Sequence, residues 1–359
     1  MSEQSEISFE RRGAAGVVTL DRPKALNAVT LRMVRAFTRQ LEEWQDDPAV
    51  TRVVVLAAAG RAFSAGGDIR ALCDLGRSGL YNEMLPFWRE EYALNTMIKT
   101  FPKPYVALID GIVMGGGVGL SVHGSHRVAG DRFTFAMPEV SIGFFPDVGA
   151  TWFLPRLPGE LGPYCALTGE RLGADDGIAA TIATDRVASD RFAELADALC
   201  GAISVDATLA AFDQEEGGAP LAPHRAAIDR LFAADRVEDI LKALDGEVSS
   251  GGPDAPFAKR TADTIRTKSP TSLKLALAQM RAGAALSFEG CMQTEFRIVS
   301  RIIHGHDFYE GVRAVLVDKD NTPNWRPATF AEVSDVEIAR HFELLSRDAE
   351  WAPRNLDRR

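Results

Sequence analysis

The chain has 359 residues, 46% hydrophobic and 25% charged, with a formal net charge of −10. That length exceeds an ordinary single domain, so one large domain with a sizeable extension, or two domains, is expected. The acidic balance argues against nucleic acid and anionic membrane surfaces as partners, although a local cationic patch can still hold a small anion. No apolar run approaches the ~20 residues that span a bilayer. The first residues, MSEQSEISFE, are polar and acidic and carry neither a secretory nor an Arg-rich transit pattern, which predicts residence in the cytoplasm. Cys73, Cys165, Cys200 and Cys291 are scattered without a CxxC pair and are expected to be reduced and partly buried.

In chain order, residues 17–20 alternate with polar neighbours and read as a strand. Thr30 caps a helix whose apolar positions Leu31, Val34, Phe37, Leu41 and Trp44 recur at helical spacing. Residues 53–58 form a β-branched run of the kind buried on both faces. A second helix is predicted over 83–100, stopped by Phe101-Pro102, and a second buried strand over 105–109, ending at Asp110-Gly111. Strands separated by helices pair in parallel through crossovers, which gives an α/β core. After about Leu154 the strand signals fade. Amphipathic helical segments follow at 191–202, 222–234, 237–244 and 286–303, and Ser269-Pro270-Thr271 reads as a helix start. Residues 215–220 and 249–256 are turn-rich. The expected division is an α/β core over 1–200 and a mainly helical region over 201–359.

Three segments carry chemistry. Ala62-Phe63-Ser64-Ala65-Gly66-Gly67-Asp68 directly follows the first buried strand, and Asp110-Gly111-Ile112-Val113-Met114-Gly115-Gly116-Gly117-Val118-Gly119 follows the second. Loops at the carboxyl ends of α/β strands are where ligands bind. Glycine there lets backbone N–H groups approach a ligand with no Cβ between. In the third, Met137 to Gly149, Glu139 and Asp147 stand in an apolar stretch, which raises carboxyl pKa values and suits acid/base or nucleophilic work. Taken singly, each segment is equally a turn, a cap or an ion-pair partner.

Other templates fit badly. Gly115, Gly117 and Leu120 miss the dinucleotide fingerprint, and no Walker-type phosphate loop is present. Gly119-Leu120-Ser121-Val122-His123 falls one glycine short of a serine-hydrolase elbow. His123 and His126 sit at helical spacing without the HExxH context and are read as structural, as are His304 and His306. No metal is expected.

With Arg22-Pro23-Lys24-Ala25-Leu26-Asn27-Ala28 ahead of them, the three segments in this order resemble the enoyl-CoA hydratase/isomerase (crotonase) superfamily over residues 17–185. The resemblance implies a crotonase-like spiral of repeated ββα units with two perpendicular sheets, followed by a helical C-terminal region. It implies an oxyanion hole formed by the N–H groups of Gly67 and Gly116, two donors aimed at a thioester oxygen, with Gly116 at a helix start. Typical hydratases of the superfamily carry a glutamate two residues after the glycine run, where this chain has Gly119. Glu139 keeps the partner carboxylate, and Asp147 stands where hydratases usually have glycine. These departures, with matching stretches at 87–95, 269–280 and 305–328, resemble the acyl-CoA thioester hydrolases of the superfamily more than its hydratases.

The same resemblance assigns roles. Glu139 is the principal catalytic carboxylate, as a nucleophile forming a mixed anhydride or as a general base for water. Asp147 orients a hydroxyl of the substrate or assists proton transfer, and Glu91 contacts the same end; Glu91, Gly116, Glu139 and Asp147 thus make up the substrate set. Coenzyme A is expected on backbone groups of Ala25, Leu26, Ala62, Gly66 and Ile69 around the adenine, with Lys24 near the phosphates. Asp68, in the same segment, holds the loop that presents Gly67. Arg22, Arg61 and Arg70 add local positive charge. No separate cofactor is implied, since coenzyme A enters with the acyl-CoA substrate, and a trimer-based or smaller homo-oligomer is the implied assembly. The rival readings are a hydratase or isomerase, for which Gly119 and Asp147 are the discriminating residues, and a catalytically silent acyl-CoA-binding scaffold.

Overall fold

The computed structural model describes residues 6–214 and 217–352, so the two residues 215 and 216 of the expected turn at 215–220 lie outside the description. The chain forms two compact units. The first takes residues up to Asp68, then Glu90–Ala136 and Arg171–Pro220; the second takes Ile69–Arg89, Met137–Glu170 and the chain from Leu221 onward.

All the described strands belong to the first unit. They are β1 (Ile7–Arg12), β2 (Ala15–Leu20), β3 (Arg52–Ala57), β4 (Ala62–Ser64), β5 (Tyr105–Ile109), β6 (Ile112–Met114), β7 (His126–Ala129), β8 (Thr134–Ala136) and β9 (Asp185–Arg186). Six of them form one sheet in the order β1-β2-β3-β5-β7-β9, and β4-β6-β8 form a second. Among the described strand pairs β1–β2 alone is antiparallel; Val53 faces Tyr105, Val106 faces His126 and Ile112 faces Thr134 in parallel register. The chain steps from the large sheet to the small one three times, at β3–β4, β5–β6 and β7–β8, and a helix or single helical turn follows each step. This is the repeated ββα plan expected from the family resemblance.

The large sheet is covered by apolar side chains of its own unit. Val17, Val54, Val106, Leu108 and Val128 pack with Leu195, Leu199, Leu209 and Phe212 from the helices Phe192–Gly201 and Val205–Phe212. Strand β2 therefore does not alternate, contrary to the sequence pattern: of its six residues only Thr19 is less than fully buried, because β1 and β3 flank it and both faces are covered. The helix Leu31–Asp46 is capped as expected, with the Thr30 hydroxyl accepting from the Met33 N–H at 3.2 Å. Its buried face is Met33, Val34, Phe37, Leu41 and Trp44, so Met33 takes the place expected of Leu31. Gly16 is required by this packing, since a Cβ there would lie 2.5 Å from the Trp44 ring.

In the second unit the longer elements are the helices Ile69–Arg77, Leu161–Thr168, Val237–Ser250, Ala255–Arg266, Pro270–Gly283 and Phe288–Ile302. The turn expected over 249–256 contracts to the few residues between two helices that pack on one another. Ser269 caps the helix that Pro270 begins, accepting from the Ser272 N–H at 3.1 Å while donating to Asp307 Oδ2 at 2.6 Å. All four cysteines are buried, and none forms a disulfide among the described residues. Among the described residues no helix is long and apolar enough to cross a membrane.

Candidate active site

The segment expected at coenzyme A is built around a buried amide. Asn27 donates from Nδ2 to the carbonyls of Ala62 (3.1 Å) and Phe63 (3.0 Å), and its Oδ1 accepts from the Arg22 N–H at 2.7 Å. Leu26 and Asn27 both adopt left-handed backbone, φ 52° and 54°, which asparagine tolerates better than most residues. The Ala65 N–H returns to Leu26 O at 2.9 Å, so the turn and the strand β4 form one frame. Arg22 is engaged with Glu6 (3.0 Å) and Asp68 (2.8 Å), and its charge is spent inside the frame; Lys24 and Arg61 are exposed. The Asp68 N–H also bonds Val29 O at 2.9 Å, which ties the Gly66-Gly67-Asp68 loop to the same segment. Ile69 begins the helix Ile69–Arg77 of the second unit. Asn27→Ala is expected to destabilise the fold by about 2–3 kcal/mol, from buried carbonyls left unmet and an alanine in left-handed backbone. Urea unfolding measures it, and a loss under about 1 kcal/mol counts against the frame.

Gly67 and Gly116 come together within the first unit. Gly115 turns the chain with φ 46°, and Gly116 opens the four-residue helix Gly116–Gly119. A Cβ placed on Gly116 would lie 3.2 Å from the Gly67 nitrogen and 2.6 Å from Glu91 Oε1. Among the described residues neither the Gly67 nor the Gly116 N–H is given to a protein acceptor. Glu91 is buried in the helix Tyr81–Lys99. The structure thus places Gly67, Gly116 and Glu91, three of the expected site residues, beside one another, with two backbone donors next to a buried carboxyl.

Glu139 and Asp147 lie in the second unit, both buried, at 7% and 5% exposure. Glu139 opens the single turn Glu139–Ile142, which ends at Gly143 with φ 67°. A Cβ on Gly143 would meet Asp307 O at 2.0 Å, so only glycine closes this turn. Phe144, next along, contacts Trp88 (5.7 Å between ring centres), Phe145 (4.7 Å) and Phe308 (5.5 Å). In these dry surroundings burial pushes the Glu139 carboxyl well above the ordinary carboxylate range, and the charges of Asp147 and Glu295 push it further. Glu139 Oε2 has no hydrogen-bond partner among the described residues. A buried, unsatisfied carboxylate oxygen of raised basicity is equipped to accept a proton or attack an electrophile.

Sequence reasoning missed the third carboxylate, Glu295. It has no exposure, and its oxygens accept from the N–H groups of Gly149 (2.8 Å) and Thr151 (2.9 Å). Burial, then the charge of Asp147, raises it to about 8. A signal existed: Glu295 falls on the apolar stripe of its helix, between Met292 and Val299. The histidines hold structural contacts. His126 starts β7 and pairs with Asp206 at 2.9 Å, so it and His123 do not share a helix; His306 bonds Asn324 O, and His304 lies against Tyr81. Among the described residues no three His, Cys, Asp or Glu side chains gather as a metal ion would require.

The profile of the enoyl-CoA hydratase/isomerase family matches residues 15–342. A relative from Danio rerio, the mitochondrial 3-hydroxyisobutyryl-CoA hydrolase, is 46% identical over 95% of this chain and 90% of its own length. The enzyme of the same name from Rattus norvegicus is 44% identical over 98% of this chain and 92% of its own. Among solved structures, a carnitinyl-CoA dehydratase from Mycobacterium thermoresistibile is 40% identical with a TM-score of 0.92, covering 98% of this chain and 99% of that one. The two hydrolases correct one expectation: both are named as mitochondrial, which overturns the cytoplasmic assignment. That assignment rested on the character of the first ten residues, and an address read by import machinery is not encoded in the composition of a folded chain. The match across nearly the whole length, together with the twin-sheet ββα plan and the paired glycine loops, places the chain in the enoyl-CoA hydratase/isomerase family.

Proposed function

We propose that this enzyme hydrolyses the thioester of 3-hydroxyisobutyryl-CoA, and of related short 3-hydroxyacyl-CoAs such as 3-hydroxypropionyl-CoA, to the free acid and coenzyme A. In cells this is the step of valine degradation that releases 3-hydroxyisobutyrate. The observation that carries the reading is the carboxylate set. Gly119 stands where a hydratase of the family has its first water-handling glutamate, while Glu139 and Asp147 are both buried and charge-coupled. The names of the two hydrolase relatives agree with it.

In this mechanism the Gly67 and Gly116 N–H groups form the oxyanion hole for the thioester oxygen, worth about 3–4 kcal/mol of transition-state stabilisation per donor. Glu139 either attacks the carbonyl carbon and expels the coenzyme A thiolate, giving a mixed anhydride that water then opens to the free acid and the Glu139 carboxylate, or takes the proton of the water that attacks the carbonyl and passes it to the departing thiolate. Its raised basicity serves both routes. Asp147 holds the 3-hydroxyl, and Glu91 gives a further polar contact. Backbone groups of Ala25, Leu26, Ala62, Gly66 and Ile69 receive the adenine of coenzyme A, with Lys24 near its phosphates and Asp68 bracing their loop through Arg22.

One observation favours a second reading. The structural relative named a dehydratase shares 40% identity, so a lyase acting on the same class of thioester is the competitor. Free-thiol release from 3-hydroxyisobutyryl-CoA, followed beside hydration of crotonyl-CoA, separates them. Thiol release at least about a hundredfold faster than hydration is expected, a difference of ~2.7 kcal/mol in barrier. Hydration without thiol release assigns the lyase, and silence in both assays leaves the binding scaffold.

A further inference from the structure

The Asp147 segment is clamped from two helices of its own unit. Glu295, on the helix Phe288–Ile302, takes the Gly149 N–H on Oε2 and the Thr151 N–H on Oε1. Gln279, on the helix Pro270–Gly283, gives its amide N–H to Pro146 O at 2.5 Å and to Thr151 Oγ1 at 3.1 Å. The backbone on both sides of Asp147 is thereby fixed by buried side chains more than a hundred residues away. Between the fixed points, Val148 is held at φ 53° and Gly149 at φ 88°. A β-branched residue in left-handed backbone costs of order 1–3 kcal/mol and persists only where its surroundings over-determine it. Gly283 adds a wall: a Cβ there would meet Thr151 O at 1.9 Å.

Ordinary capping does not explain the use of a glutamate. The short helix Ala150–Phe153 begins at Gly149, which has no side chain to cap it. A neighbouring serine or asparagine would satisfy its N–H groups without bringing a charge indoors, and a fully buried carboxylate is an expensive cap. What the glutamate adds is a bidentate grip that fixes two N–H groups at once.

We infer that Glu295 is a positioning residue for Asp147, holding its strained segment so that the carboxylate meets the hydroxyl of a 3-hydroxyacyl chain, and so sets the preference for hydroxylated over plain acyl thioesters. The inference rests on the proposed contact between Asp147 and the substrate hydroxyl. Glu295 also raises the basicity of Glu139. That effect falls on any thioester alike, so it cancels in a ratio of two substrates.

The test is the ratio of kcat/KM for 3-hydroxyisobutyryl-CoA over isobutyryl-CoA, which lacks the hydroxyl, in Asp147→Asn, Glu295→Gln and the double variant. Asp147→Asn and Glu295→Gln should each lower the ratio at least tenfold, and the double variant no further than Asp147→Asn alone, the non-additivity of two residues acting through one contact. If Asp147→Asn collapses the ratio and Glu295→Gln leaves it intact, the clamp is structural and the inference is overturned. If neither moves it, the reading of Asp147 is what fails. Should Glu295→Gln not fold, Gln279→Leu loosens the same segment from its other side; a folded Gln279→Leu with the parental ratio overturns the inference as well.

Discussion

Glu139→Gln is expected to lower kcat by at least about a thousandfold while making the protein more stable at alkaline pH. The amide keeps the shape of the side chain but can neither attack a carbonyl nor accept a proton, and removal of a catalytic carboxylate costs on the order of 10²–10⁴ in rate by the general-base route alone. The stability effect follows from the direction of the pKa shift. Burial first, then Asp147 and Glu295, raise the Glu139 carboxyl well above its ordinary value near 4.5. Above that value the native protein therefore binds more protons than the unfolded chain, and stability falls as pH rises through the native pKa. Glutamine carries no such penalty. The Tm difference between variant and parent should be small at pH 4, where the group is protonated in both states, and should widen in the variant's favour toward pH 8. The activity of the parent, which needs the ionised form, should have its acid limb above the ordinary carboxylate range. Turnover within tenfold of the parent, or a stability gain that shrinks with rising pH, would sink the assignment of Glu139 as an ionisable catalytic group in a dry site.

What the sequence showed and hid follows from range. Glu139 and Asp147 stood out because they lie eight positions apart in one apolar stretch, and the two glycine-rich segments because each follows a buried strand; the choice of Gly67 and Gly116 within them came from the family resemblance. Strands β4, β6 and β8 were not legible, since three residues are too few for any periodicity to declare itself. Without them the residues alone gave one parallel sheet, and only the family resemblance supplied the second. The helix at 31–46 was placed correctly, but its phase slipped by two positions at the start because Leu31 and Met33 are both apolar. Glu295 stands 146 residues from the Gly149 it holds, and no local pattern joins them. Asn27 is hidden for the same reason: its partners at Ala62 and Phe63 are brought to it by the sheet, not by the chain.

Gly116→Ala carries the second large effect, and here the geometry gives both its direction and its control. The residue opens a helix, a conformation alanine adopts without strain, so the backbone has no reason to refuse the change. The added methyl would instead stand 2.6 Å from Glu91 Oε1 and 3.2 Å from the Gly67 nitrogen. The first contact forces the buried Glu91 side chain aside. The second puts carbon against the N–H proposed to bind the thioester oxygen, which can then no longer be shared evenly with the Gly116 N–H. Loss of one oxyanion donor costs about 10²–10³ in kcat, and a fall in that range is expected with Kd for free coenzyme A changed less than about threefold, or ~0.65 kcal/mol. Gly246→Ala is the control: it lies inside the helix Val237–Ser250 with nothing within 4 Å of the new methyl, so it should leave kcat alone and stabilise the fold by about 1 kcal/mol. If Gly116→Ala folds, binds coenzyme A and turns over within threefold of the parent, the paired N–H groups are not where the charge develops, and the catalytic electrostatics must be sought among the buried carboxylates alone.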